Sequence, residues 1–315
     1  MVNILITGGS GFLGANLAHR LSKSKNNVML IVRSKSDLWR LNGLTSKVSI
    51  HTVDILKKKE LDSEINKIKP DIVYHCATYG VHNFQKNFYN MLDTNVIGIY
   101  NLLESLLKYN DVEKIVNIGS SFEYGVKITP FQENDLSMPT TLYGISKNTQ
   151  TNIAQYFAKY QSLPVITFRV STAYGKYDAP GKLIADIMYA LIHKIRINLA
   201  EKNAIRDFIY IDDVIDALIL GSKKNVPSGE IFNIGTGAGH TVYQIFDEVQ
   251  KIAKCKIEVS WNNKDRIRDF DKITSNNVVN IDKIKNILKW KPKNSLKMGL
   301  DKTYKWYNEN IGLYQ

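Results

Sequence analysis

Cysteine is nearly missing from this chain. Two residues, Cys76 and Cys255, lie far apart in 315 and show no metal or redox spacing. That argues against a disulfide framework or a cysteine-based metal site and for a reducing compartment, the cytoplasm. Histidine is also sparse, and the six residues are too scattered to suggest a metal centre. No apolar run approaches the roughly 20 residues that cross a bilayer. The N-terminus enters a strand directly, without a signal-peptide pattern, so a cytoplasmic protein away from membranes is expected. Acid is short relative to base, 30 Asp and Glu against 42 Lys and Arg, which leaves a formal net charge of +12. Much of the excess is lysine on polar helix faces (Lys57 to Lys59, Lys283, Lys285, Lys289, Lys291), which argues against nucleic acid and suits a polyanionic small molecule. Repeats, linkers and low-complexity tracts are absent. With 44% hydrophobic and 23% charged residues, the chain reads as one large globular domain, or a domain with a lobe.

What is present begins at Ile4–Leu17, ILITGGSGFLGANL. An apolar β-rich run breaks at Thr7 into Gly8, Gly11 and Gly14, and an amphipathic segment opened by Phe12 and Leu13 follows. Strand, glycine turn and helix together present backbone N–H groups and a helix N-terminus to a phosphate. Gly8 would permit the tight turn, Gly11 the approach of a pyrophosphate, and Gly14 close packing of helix on strand. Phe12 and Leu13 join them as candidate cofactor contacts.

Further strands are expected at Val28–Arg33, Val48–Val53, Asp71–Ala77, Lys114–Ser120 and Pro164–Val170. Long helices are expected at Asn87–Tyr109 and Thr141–Lys159. Alternating strands and helices imply a parallel, doubly wound Rossmann-type α/β sheet. Later strands are expected at Asp207–Ile211 and Glu230–Ile234, with a smaller, discontinuous C-terminal substrate-binding lobe. The expected division is residues 1–175 and 205–240 for the dinucleotide, and 176–204 and 241–315 for the substrate. Arg33 stands where NAD enzymes usually carry an acid for the ribose. It favours a 2′-phosphate and NADP, yet also suits adenine stacking or solvent, so NAD and NADP stay open. Trp39 and Arg40 could flank the adenine or simply pack. Asp54 and Ile55 close the third strand at an adenine position, and Ala77 and Thr78 close the fourth on the cofactor face. Asn95, inward on its helix, counts among the cofactor contacts.

Tyr143 and Lys147 lie four apart and share a helix face. Ser120 and Ser121 end the strand before them. A phenol near pKa 10 is a poor base at neutral pH, and a neighbouring ammonium would lower it. Tyr143 could then exchange a proton with a substrate hydroxyl while a serine holds the oxygen.

At these residues the sequence resembles the extended short-chain dehydrogenase/reductase (NAD-dependent epimerase/dehydratase) family, in its nucleotide-sugar branch. The resemblance runs through Thr7–Gly14, Asp54-Ile55, His75–Ala77, Thr94–Glu104, Ser120–Gly125, Tyr143–Lys147, Arg169–Gly175, Arg206–Val214, Phe232–Gly237 and Trp290–Tyr307. It implies Tyr143 as acid/base, Lys147 as its electrostatic partner and nicotinamide-ribose contact, and Ser120 or Ser121 as the catalytic hydroxyl. It implies Arg206 and Arg266 as phosphate and ribose contacts, Lys182 as a further phosphate contact, and Ser121 and Thr172 on the substrate side. It also implies a nucleoside-diphosphate sugar as substrate and a homodimer paired through the two long helices. Dehydratases of the branch carry a Thr-Asp-Glu or Thr-Ser-Glu triplet where this chain has Ser120-Ser121-Phe122, with Glu123 displaced by one. Thr172 replaces the usual Asn. The expected function is NAD(P)-dependent oxidation or reduction at C4 of the sugar (a 4-dehydrogenase or 4-keto reductase), serving bacterial-type surface-polysaccharide synthesis. A 4-epimerase is the alternative, a 4,6-dehydratase ranks below it, and a silent dinucleotide-binding protein last.

Overall fold

In the first strand, β1 (Asn3–Thr7), Ile4 and Ile6 enter one hydrophobic core and Leu5 another. In β2 (Asn27–Val32), Val28, Leu30 and Val32 face the first core, Met29 and Ile31 the second. Side chains alternate across a strand, so a run that is apolar at every position needs a covering layer on each face. This is the physical basis of the doubly wound sheet. The structure is a computed structural model describing residues 1–314, apart from Thr45, Asn83, Thr129 and 263–275.

With β3 (Ser49–Thr52), β4 (Ile72–His75), β5 (Lys114–Ser120) and β6 (Val165–Val170) the sheet grows outward in both directions. Four short strands follow, β7 (Thr172–Tyr174), β8 (Ile197–Asn198), β9 (Ile205–Arg206) and β10 (Phe208–Tyr210), before β11 (Ile231–Ile234) returns to the sheet. The seven-stranded order is β3-β2-β1-β4-β5-β6-β11, and every pairing is parallel. All C-terminal strand ends therefore open on one edge. Helix α1 (Phe12–Leu21) lies on the first core, while α2 (Lys58–Ile68) covers the second through Leu61, Ile65 and Ile68.

One helix was expected over Asn87–Tyr109, and the structure divides it. A short α3 (Phe88–Met91) runs into a π-helical turn at Leu92–Ile97, and α4 (Gly98–Tyr109) resumes the regular spiral. The wide turn carries Asn95 inward, where its amide donates to Tyr79 O (2.9 Å) and Ser146 Oγ (2.9 Å) and accepts from Tyr79 N (2.8 Å). Next comes α5 (Leu142–Tyr160), capped by Thr141 Oγ1 accepting from Gly144 N at 2.9 Å.

The C-terminal lobe gathers α6 (Leu183–His193), α8 (Val242–Ala253) and α10 (Leu296–Asn310). Between them in sequence, α7 (Ile211–Lys223) covers the sheet beside α1, and α9 (Asp282–Leu288) packs on β11. Two further strands, β12 (His240–Thr241) and β13 (Val259–Ser260), pair with β9 and β8. The strand expected over Asp207–Ile211 forms as Phe208–Tyr210, one residue shorter at each end. Asp207 leaves the ladder and its carboxylate accepts from Thr236 N (2.8 Å), Thr236 Oγ1 (2.6 Å) and Gly237 N (3.0 Å). Ile211 starts α7 instead of ending a strand.

Candidate active site

The open sheet edge and the lobe enclose a cleft of about 560 Å³. Its floor comes from the segments leaving β1, β2, β4, β5 and β6, as expected where parallel strands end. Gly8, Gly11, Phe12, Leu13, Arg33, Asp54, Ile55, Ala77, Thr78, Ser120, Tyr143, Lys147, Thr172, Lys182 and Arg206 all line it. The sequence-derived candidates thus converge on one site, with four exceptions.

Gly14 lies beneath the lining. A Cβ there would stand 2.3 Å from Gly8 O, so the residue closes helix on turn. Asn95 is fully buried and its amide is committed to the segment after β4 and to Ser146, so it supports the site from behind. Ser121 lies outside the cleft lining: it is fully buried, and its Oγ finds no hydrogen-bond partner among the described residues. Ser121 opens the short 3-10 turn that leaves β5, and of the two serines Ser120 lines the cleft. Arg266 lies outside the described residues.

The glycine turn has the geometry of a phosphate cradle. Gly8 sits at φ +66°, and a Cβ there would approach Ala77 N to 2.6 Å. At Gly11 a Cβ would meet Gly8 O alone, at 3.2 Å, and the residue lines the cleft. No side chain caps α1, which leaves its first-turn amides for an anion. At the far end of this half, Trp39 is occupied in packing, with ring contacts to Tyr177 (6.1 Å) and Tyr314 (5.2 Å). Arg40 donates from Nε to Tyr177 O at 2.8 Å. Arg33 stays exposed at the rim.

At mid-cleft Ser120, Thr78 and Tyr143 line the cleft together, with Thr78 Oγ1 donating to Asn95 Oδ1 at 3.2 Å and Ser120 Oγ accepting from Phe122 N at 3.3 Å. Burial pushes the Tyr143 phenol up to about 12, and the hydroxyls of Ser120 and Thr78 pull it partly back. The expected lowering by Lys147 is not what the structure shows. The ammonium donates instead to Ile118 O and Gln150 Oε1, each at 2.6 Å. Burial lowers Lys147 to about 8, opposed by the charge of Glu123 and then by Cys76. Gln150 continues inward, donating to Asn117 Oδ1 at 2.6 Å, and Asn117 donates to Thr167 Oγ1 at 3.2 Å. The sequence reading missed Gln150, although it follows Lys147 by three residues and so shares its helix face.

In the substrate half, Arg206 is 4% exposed, with its guanidinium 6.0 Å from the Phe122 ring. Lys182 bridges from the lobe to the segment after β4, donating from Nζ to Val81 O at 2.5 Å. Thr172 is held by its backbone, N to Asp207 O at 3.0 Å. Glu123, the displaced carboxylate, is fully buried beneath the floor and bonded to Arg169 and the Ser120 amide, outside the cleft lining. Among the described residues, no group of three or more His, Cys, Asp or Glu could hold a metal, and no helix is long and apolar enough to cross a membrane.

Residues 4–235 match the model of the NAD dependent epimerase/dehydratase family. The chain belongs to that family. It is therefore an NAD-dependent enzyme of the epimerase/dehydratase type, and the glycine cradle, the uncapped α1 and the strand-end cleft fit NAD. A Methanocaldococcus jannaschii protein provisionally named UDP-glucose 4-epimerase is 30% identical over 98% of this chain and 99% of its own length. The Thermotoga maritima UDP-glucose 4-epimerase, solved with UDP-glucose, superposes with a TM-score of 0.86 at 26% identity, covering 98% of this chain and 99% of that one. A Bacillus anthracis dTDP-glucose 4,6-dehydratase solved with NAD gives a TM-score of 0.86 at 26% identity, covering 100% and 99%.

Proposed function

We propose that this family member oxidises and re-reduces C4 of a nucleoside-diphosphate sugar, and that its net reaction is 4-epimerisation. The observation that carries this reading is that Ser120, Thr78 and Tyr143 line one cleft, with Glu123 withheld beneath it. Stripping water from a sugar needs carboxylates at the reacting carbons. Here the positions after Ser120 hold a buried Ser121 and Phe122, whose ring packs 6.4 Å from that of Tyr143. That supports a 4-epimerase over a 4,6-dehydratase. Relatives of both names support the C4 chemistry itself.

In this reading residues 1–175 and 205–240 carry NAD, while 176–204 and 241–315 carry the sugar nucleotide. When bound, NAD supplies a two-electron acceptor and donor. Tyr143 takes the proton of the C4 hydroxyl during oxidation and returns one during reduction. Ser120 and Thr78 hold the phenol and the substrate oxygen in line, and Lys147 provides the positive charge behind them. Arg206 and Lys182 meet the diphosphate, and Thr172 lies on the sugar side. Arg33 supports a second reading, a 4-dehydrogenase or 4-keto reductase using a soluble cofactor, because a cation at the rim suits a 2′-phosphate.

The long helices also support a homodimer. Ile97 at the end of the π-turn, Tyr100 at the start of α4 and Ile145, Tyr156 and Tyr160 along α5 are exposed at 39–74%. Tyr100 and Tyr156 both touch Phe157, so these side chains form one patch. The localisation expected for such an enzyme is the cytoplasm.

The test is to identify any co-purified dinucleotide by mass, then offer UDP-, dTDP-, GDP- and CDP-hexoses while following reduced-nicotinamide absorbance. A C4-inverted product without net absorbance change supports the epimerase. A stoichiometric change supports the second reading. No turnover with any sugar, despite bound dinucleotide, defeats both.

A further inference from the structure

Glu123 is a carboxylate that the proposed chemistry does not use, yet it is fully buried under the site. Its Oε2 accepts from Arg169 Nε at 2.8 Å, and the two side chains are 0% and 4% exposed. Arg169 is itself fixed: it donates from NH2 to Ser137 Oγ at 3.0 Å and lies 4.4 Å over the Tyr124 ring. The other carboxylate oxygen, Oε1, accepts from Ser120 N at 2.7 Å. In return Ser120 Oγ accepts from Phe122 N at 3.3 Å, so the turn leaving β5 closes as a reciprocal capping box. The fit is tight, because a Cβ on Gly119 would come within 2.6 Å of Glu123 Oε1.

A fully buried ion pair contributes little net stability compared with apolar residues of the same volume. Its presence directly below a site calls for another reason, and the charges around it supply one. Glu123 is paired with Arg169 of β6, with Tyr124 beside it, and holds the Ser120 amide two residues along β5 from the Ile118 carbonyl that Lys147 of α5 bonds. The charges of Lys147 and Glu123 therefore act on one another, and Glu123 also acts on the Tyr143 phenol. Lys147 in turn faces Cys76 and His75 at the end of β4.

We propose that the Glu123–Arg169 pair is the positioning device of this site: through the Ser120 amide it fixes the turn that presents the Ser120 hydroxyl, and its carboxylate balances the charge of Lys147. The proposal rests on the reading of Ser120 and Lys147 given above, but it concerns residues that never touch substrate. Burial raises the Glu123 carboxyl above its ordinary range, and the Arg169 charge opposes that rise. The Arg169 hydrogen bond orients the carboxylate, and Glu123 passes that order to both neighbours. The Lys147 ammonium sits where burial alone would favour the neutral amine, and Glu123 opposes that trend.

The test needs no substrate. Enzyme saturated with NAD is labelled with 13C-lysine, the Lys147 resonance is assigned by its loss in Lys147→Arg, and its titration is followed. Hydrogen exchange at the Ser120 amide is measured in parallel. In Glu123→Gln the amide oxygen can still accept from Ser120 N, so exchange should stay slow while the Lys147 midpoint falls by about one pH unit. Should that variant fail to fold because Arg169 is left unpaired, the double variant Glu123→Leu with Arg169→Met replaces both partners by apolar residues of similar size. It should fold, show faster Ser120 exchange and show the same fall in the Lys147 midpoint. A folded double variant with the Lys147 midpoint and Ser120 exchange of the unaltered enzyme overturns the proposal. That result would leave the C4 reading standing, since the sugar screen and Tyr143→Phe test that independently.

Discussion

The Lys147 ammonium and the Gln150 side-chain oxygen stand 2.6 Å apart, less than one turn along the same helix, with neither open to solvent. The lysine nearest the phenol is thus held by neutral acceptors in the protein alone, and its share in the chemistry is met through what binds in front of it. Gln150 also ties Lys147 to Asn117 at the centre of the sheet. Replacing it with Leu leaves Asn117 Oδ1 without its donor and Lys147 with Ile118 O as its acceptor, and Gln150→Leu should lose about 1–3 kcal/mol of stability in urea unfolding. Unchanged stability would mean that both groups find other partners.

Tyr143→Phe keeps the ring packed against Phe122 and removes only the hydroxyl. Turnover of the sugar identified in the screen should fall by about 10²–10⁴-fold, the usual share of general acid–base catalysis. NAD affinity, read by calorimetry, should stay within about twofold. Full turnover would remove the proton-transfer role.

The three glycines should separate by mechanism. Gly14→Ala forces a Cβ against Gly8 O and should destabilise the fold by about 1–3 kcal/mol, as overpacking does. Gly11→Ala meets little protein, so thermal unfolding should barely move while NAD binding weakens at least tenfold. Equal effects on stability and binding at both positions would refute the assignment of separate jobs.

His75 is buried at 1% exposure and shares a 2.8 Å hydrogen bond with Thr7 Oγ1. Burial holds it down to about 3, with the Lys147 charge adding to the effect. The unfolded chain binds a proton near pH 6.5 that the folded chain refuses. Its contribution to stability is therefore complete above that pH and is lost as pH falls from about 6.5 towards 3. Below pH 6 this one group should tilt stability by about 1.4 kcal/mol per pH unit. Urea midpoints at pH 7, 6 and 5 should show that slope, and His75→Leu should remove it.

If the α4–α5 patch joins two copies, Tyr100→Glu should shift light-scattering mass from dimer to monomer while leaving the fold intact. A monomeric unaltered protein would refute the dimer.

Much of this was legible from residues alone. Strands such as Val28–Val32 announce themselves because both alternating sets are apolar, and TGGSGFLG fixes a turn that few other residues could make. Other features hide for definite reasons. A π-turn at Leu92–Ile97 departs from the regular spiral by one residue, too little for hydrophobic spacing to register. The loss of Asp207 from its strand is masked by the apolar residues that follow it. Ser120 and Ser121 cannot be told apart until the strand shows which one faces the cleft. Glu123 and Arg169 are 46 residues apart, and only the β5–β6 register, which sets Gly119 opposite Arg169, brings them together.

The π-turn puts Asn95, which clamps the Tyr79 segment behind the phenol, two residues from Ile97, which looks outward from the exposed patch. Deleting one residue there would rewind the turn into a plain helix and swing everything after it by about 100°. The outer surface and the floor of the cleft are thus written into the same six residues. Neither can drift in sequence without dragging the other along.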